Sequence, residues 1–204
     1  MLHWDRNRGW PPSEWMGPLP MGFFPVELCM SKTDAGLAGE MLFSAAVMLG
    51  TGFALKLFAQ LCDDDHVDRA IGERGGLPAL TVQVKTALGA DAHGSIEATA
   101  HFPSEDALRE HPSFWYAVLY VPGITIARCW LLSSADFNRL TSRTRDARGG
   151  VSLRFSAPTH GGGRAGPFLV PPEEIGGRLA RTIRESPGLP PSIPDAMLVA
   201  FATR

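Results

Sequence analysis

The stretch Ala79-Leu80-Thr81-Val82-Gln83-Val84-Lys85-Thr86-Ala87 alternates apolar and polar side chains at every step from Leu80 to Lys85. A period of two fits a strand and does not fit a helix, whose faces repeat every 3.6 residues. Leu80, Val82 and Val84 therefore point one way, and Thr81, Gln83 and Lys85 the other. Along the second face the Gln83 amide and the Lys85 ammonium stand side by side, ~7 Å apart at about 3.3 Å of rise per residue. One face of this strand belongs to a core. The other carries a polar pair that needs something opposite it, and the remaining elements are read against that demand.

At 204 residues the chain suits one domain with appended arms and can bury a sizeable core without staples. Charged residues make up 20% and hydrophobic ones 45%, which describes a globular chain and excludes a disordered one. Cys29, Cys62 and Cys129 are odd in number and show no C-x-x-C spacing, so neither a disulfide framework nor a zinc ribbon is indicated and a reducing cytoplasm is expected. The first residues hold no apolar signal-peptide core, and the run from Met41 to Leu49 is too short to span a bilayer, so no membrane partner is expected. Net charge is −2. It is unevenly spread: residues 1–119 hold 8 basic and 15 acidic groups, a net −7, and residues 120–204 hold 11 and 6, a net +5. That asymmetry fits a metal site beside a phosphate-binding surface, and equally a solvated surface with segregated charge.

Residues 1–30 read as an extended arm, because Trp4, Trp10 and Trp15 are interleaved with Pro11, Pro12, Pro18, Pro20 and Pro25. Exposed tryptophans are unfavourable, so the arm is expected to pack on the body or on a second copy in a homodimer. Residues 31–186 form the main domain and 187–204 a proline-rich tail. A helix capped by Thr33 or Asp34 should run to Leu49, and its apolar residues cover nearly the whole circumference, which predicts a largely buried helix. Glu40 is the one ionisable residue between Ala35 and Leu55 and shares a helical stripe with Phe43 and Val47. A carboxylate facing inward must be paired or bound to a metal.

A strand from Phe53 to Leu61 comes next, then the acidic run Asp63-Asp64-Asp65-His66-Val67-Asp68. The turn from Gly72 to Pro78 folds the Asp68 segment antiparallel to the Gln83/Lys85 strand, so carboxylate and ammonium can meet. Asp63 to Asp65 read as a solvated turn, and His66 is kept as a neighbour of Asp68. Further strands are expected at Ser95–Phe102, Phe114–Val121, Ile124–Leu132 and around Val151–Phe155, with short helices near Ser104–Glu110 and after Ser133 or Ser134. Arg139, Arg143, Arg145 and Arg148 form the densest basic stretch, and a last helix carries Ile175, Leu179 and Ile183 at i, i+4 and i+8.

Taken in order, the helix with Glu40, the strand with Asp68 and the Gln83-x-Lys85 strand resemble the PD-(D/E)XK nuclease superfamily. The resemblance covers roughly residues 33–142 and is closest to small bacterial members whose third strand reads Q-V-K. It implies an α/β fold with a restriction-endonuclease-like core, a mixed central β-sheet flanked by α-helices. It also implies a metal-dependent endonuclease acting on DNA with Mg²⁺ or Mn²⁺, in which Glu40, Asp68 and Gln83 are ligands and Lys85 is the catalytic lysine. Gln83 departs from the pattern: an amide oxygen can coordinate a cation or orient a water, but the loss of a negative charge weakens metal binding.

The residue types suit this chemistry. Mg²⁺ takes one or two carboxylates plus waters and phosphate oxygens, and an ammonium offsets charge developing on a phosphoryl group. Lysine is scarce here: Lys32, Lys56 and Lys85 stand against 16 arginines, so Lys85 sits where the general bias favoured arginine. The four clustered arginines read either as phosphate contacts or as a solvated charged face. Gly161 to Gly166 satisfies G-x-G-x-x-G, but Pro167 follows and no helix opens there, so a dinucleotide site fails its context. The six histidines show no two-ligand helical spacing, and no G-x-S-x-G elbow exists. Two other readings stand beside the nuclease. One is a catalytically impaired nuclease-fold protein serving as a nucleic-acid-binding or protein-interaction module, and the other is a structural protein in which Lys85 pairs with Asp68.

Overall fold

The computed structural model describes residues 32–59, 67–108 and 110–185. The expected arm, the tail, Asp63 to Asp65 and His66 lie outside the described residues. In chain order the elements are α1 (Lys32–Gly50), β1 (Leu55–Ala59), β2 (Arg69–Glu73), β3 (Leu80–Ala87), β4 (Ser95–Phe102), β5 (Phe114–Tyr120), β6 (Arg128–Ser133), α2 (Ser134–Leu140), β7 (Ser142–Arg145), β8 (Val151–Pro158), β9 (Leu169–Val170) and α3 (Ile175–Glu185). Among the described residues no helix is long and apolar enough to cross a membrane.

The fold is mixed α/β with a central mixed sheet flanked by helices. Its strand order is β1-β2-β3-β5-β6-β9, antiparallel throughout except for the parallel pair β3 and β5. The chain between β3 and β5 contributes β4, which belongs to a second, three-stranded sheet ordered β4-β8-β7. The alternation in β3 decides what each face meets. Leu80, Val82 and Val84 pack with Phe43 and Val47 of α1 and with Ile175 and Leu179 of α3. On the opposite face Tyr116, Val118, Trp130 and Leu132 pack against the inner side chains of the second sheet and against Phe137 of α2. Phe137 stacks on Tyr116 with ring centroids 3.8 Å apart, a pairing that contributes about 0.5–1.5 kcal/mol beyond area burial.

α1 approaches β3 closely because residue 39 is glycine: a Cβ there would lie 1.8 Å from Thr86 Oγ1. This contact sets the depth of Glu40, the next residue along. The helix differs from its expectation, however. Only the stripe containing Phe43 and Val47 is buried, and Leu37, Met41 and Leu49 are 56, 63 and 68% exposed. A helix lying on a sheet can bury one side only, whatever its composition.

Two other expectations are corrected. Where a helix is expected at 104–110, residues 104–108 make a single turn, Leu108 N–H donating to the Glu105 carbonyl (3.0 Å), because a few residues between Pro103 and Pro112 cannot sustain a helix unaided. β6 begins at Arg128, since the turn after Tyr120 is wider than a tight hairpin and closes with Ala127 N–H on the Tyr120 carbonyl (2.9 Å). The expected strands at Ser95–Phe102 and from Phe114 match the structure. So does the cap at Ser133, whose Oγ accepts from Asp136 N–H.

Candidate functional site

Asp68 stands one residue ahead of β2 and extends its ladder, its N–H donating to the Val82 carbonyl (3.1 Å). Paired residues of β2 and β3 end at Arg69 and Val82. The next N–H of β3 on that side, Val84's, donates to Asp68 Oδ2 at 2.6 Å. The antiparallel turn anticipated from sequence thus fixes the carboxylate at the point where ladder pairing runs out.

Burial pushes the Asp68 carboxyl from its ordinary 3.8 up to about 6. The Val84 N–H opposes the shift, the Glu40 charge adds to it, and the positive charges of Lys85 and Arg69 oppose it. Glu40 and Lys85 are therefore both within electrostatic reach of Asp68. All three line one cleft of about 600 Å³, together with Val84 and with Glu97, Thr99 and His101 of β4.

Glu40 enters this cleft from α1 and is held by Arg69, whose Nη1 donates to Glu40 Oε2 (2.8 Å) and to the Asp68 carbonyl (2.6 Å). The Arg69 Nε donates to Ser44 Oγ (2.9 Å), and that hydroxyl donates to the Glu40 carbonyl one turn back (2.7 Å). Lys85 reaches the cleft from β3, on the face that its alternation predicts. Gln83 shares that face but not the cleft. It is 3% exposed, lies beside Tyr116 in the parallel ladder, and its buried Oε1 has no hydrogen-bond partner. An alternating pattern assigns a face and says nothing about what covers it, and here the covering layer is the second sheet.

The four arginines are not brought to the cleft. Arg139 pairs with Asp136 (2.7 Å), Arg143 with Glu105 (2.6 Å) and Arg145 with the same Glu105. Arg148 occupies the turn between β7 and β8, its N–H on Asp146 Oδ1 (2.8 Å). β7 is separated from β4 by β8, so Arg143 and Arg145 lie across the second sheet from the strand that borders the cleft. The glycine-rich run ends in a three-residue 3-10 turn at Gly166–Phe168, not in a phosphate-cradling helix.

Sequence reasoning missed Arg69 and His101. Arg69 directly follows Asp68, yet nothing local shows that it reaches a helix 29 residues earlier in the chain. His101 alternates with Thr99 and Glu97 along β4, so their shared face was legible, but not the cleft on which it borders. Its Nδ1 is hydrogen-bonded to Ser152 Oγ (2.8 Å) across the sheet, with the tautomer open.

Among the described residues no three or more of His, Cys, Asp and Glu gather as a ready-made metal cluster. Asp68 and Glu40 supply a pair of carboxylates lining an open cleft, a donor set that fits a hard cation such as Mg²⁺ or Mn²⁺ completed by water. No protein-family model matches the chain, and no curated protein matches it. Among solved structures it is similar to a bacterial homing endonuclease, I-Ssp6803I, at 13% identity and a TM-score of 0.48, over 76% of this chain and 99% of the other. A likeness of that degree assigns no role to any residue.

Proposed function

We propose that the chain is a divalent-metal-dependent phosphodiesterase of the PD-(D/E)XK type that cleaves DNA, with its site at the Glu40, Asp68 and Lys85 cleft. The observation that supports this reading is the convergence of three charged side chains, 28 and 17 residues apart in sequence, on one open cleft. Asp68 and Glu40 would hold Mg²⁺ or Mn²⁺. Such a cation supplies positive charge that polarises a phosphoryl oxygen and lowers the pKa of the attacking water.

This chain's own residues do the rest. The Val84 N–H orients the Asp68 carboxylate. Lys85, on the same strand, offers a compact cation to the scissile phosphate, where a charge fixed in place stabilises developing negative charge without solvent reorganisation. Gln83, buried outside the cleft, takes no direct part in this chemistry. Because burial pushes Asp68 up to about 6, its carboxylate is ionised at pH 8 and increasingly protonated below pH 6. A bound cation competes with that proton, so cleavage should fall on the acid side with a midpoint that moves down as the Mn²⁺ concentration is raised. The arginines near β7 serve as phosphate contacts in this reading, at a distance from the cleft.

The test uses the full chain with plasmid and oligonucleotide DNA in Mg²⁺ and in Mn²⁺. Lys85→Ala should reduce cleavage by about 100- to 1000-fold with an unchanged circular dichroism spectrum. Cleavage that survives the change rejects the mechanism. One observation favours a second reading, an impaired nuclease fold that binds nucleic acid without cutting it: Gln83 is uncharged and buried away from the cleft. DNA binding with a steep salt dependence, and no product with either cation, selects that reading.

A further inference from the structure

Arg69 makes contacts that a purely structural ion pair would not need. Its guanidinium joins α1 to the start of β2 through three acceptors, the Glu40 carboxylate, the Ser44 hydroxyl and the Asp68 carbonyl. Both cleft carboxylates therefore belong to residues in direct contact with it. The Arg69 and Glu40 side chains retain 13% and 25% exposure, so their pair is neither sealed in the core nor freely solvated. A guanidinium is a permanent charge with several donors in a rigid plane. Were Glu40 to turn away, Arg69 would keep both of its oxygen acceptors on Ser44 and Asp68.

We infer that Arg69 is the internal counter-cation of the cleft: it holds Glu40 by a releasable pair, and Glu40 exchanges Arg69 for a divalent cation when one binds. The inference rests on the proposed metal-dependent function. The exchange costs one charge-assisted hydrogen bond, because the other two anchors of Arg69 involve neither Glu40 oxygen. It also gives Arg69 a definite sign of action. A residue that merely shapes the site would lower cation affinity when removed. A competing counter-cation would raise it.

The experiment is calorimetric titration of Mn²⁺ into the full-length wild-type chain and into Arg69→Gln, Glu40→Gln, Asp68→Asn and the Arg69→Gln/Glu40→Gln double variant. Arg69→Gln should bind Mn²⁺ about three- to tenfold more tightly than wild type, the scale expected for release of a half-buried ion pair. In the Glu40→Gln background the same change should alter affinity by less than about twofold, which a general effect of removing positive charge would not produce. Unchanged or weaker binding by Arg69→Gln, with wild-type binding that Asp68→Asn abolishes, overturns the inference and leaves the metal site standing. Absence of Asp68-dependent Mn²⁺ binding in every chain overturns the metal reading and the inference with it.

Discussion

Replacing Asp68 with asparagine should make the protein more stable while removing its proposed chemistry. In the folded chain the carboxyl titrates at about 6 against an ordinary 3.8, with burial as the largest cause. At about 1.4 kcal/mol for each tenfold change in proton affinity, that difference is a destabilisation of about 3 kcal/mol when the group is ionised. The sign follows from proton binding. Between 3.8 and 6 the folded chain holds the proton more tightly than the unfolded chain does. Stability therefore rises as pH falls through this window, and the full penalty is present above 6. Asparagine removes the charge and can still present an oxygen to the Val84 N–H, and the loss of the charge-assisted character of that 2.6 Å bond is already contained in the net shift, which Val84 lowers. The expectation at pH 8 is a gain of about 3 kcal/mol, or a rise in Tm of about 6–12 °C for a chain of this size. Urea denaturation in EDTA at pH 8 and pH 4 measures it. The gain should shrink toward zero in acid, where wild-type Asp68 is already protonated. An asparagine variant less stable than wild type at pH 8, or a gap that persists unchanged at pH 4, would refute the reasoning.

Two further outcomes follow from packing. Gly39→Ala should destabilise the protein by about 1–2 kcal/mol in chemical denaturation, although alanine is the better helix former by about 1 kcal/mol, because its Cβ would overlap the stiff Thr86 side chain. A stabilised Gly39→Ala would show that α1 lies farther from β3. Cys129 is fully buried and its thiol is pushed up to about 12, so in a Cys29→Ser/Cys62→Ser background it should resist a maleimide at pH 8 until urea unfolds the chain. Rapid labelling of the native protein would contradict that burial.

Much of the scaffold was legible because it depends on short-range patterns. The alternation of β3 predicted both faces, and the turn from Gly72 to Pro78 predicted the antiparallel partner that carries Asp68 to Val84. Glu40 stood out as a solitary charge on an apolar helix. What was not legible depends on layers meeting. The burial of Gln83 is decided by a second sheet built from distant segments. The exposed side of α1 depends on there being only one sheet to cover it. Arg69 and His101 acquire neighbours through tertiary approach, and Arg143 and Arg145 lose part of their charge to Glu105, a residue in a segment expected to be helical. Local pattern fixes direction, and the contents of the space in that direction are settled by the rest of the chain.

The position of β7 bears on how the arginines should be tested. It is the outer strand of the second sheet, all four of its residues are exposed, and an open strand edge is a template on which another copy can add. Arg143 and Arg145 place two like charges along that edge, so a second copy approaching in register meets its own repulsion. Glu105 restrains the two side chains without cancelling both charges. Neutralising both arginines would remove a barrier to self-association as well as any phosphate contact. Loss of DNA binding in such a variant is then interpretable only alongside its sedimentation behaviour.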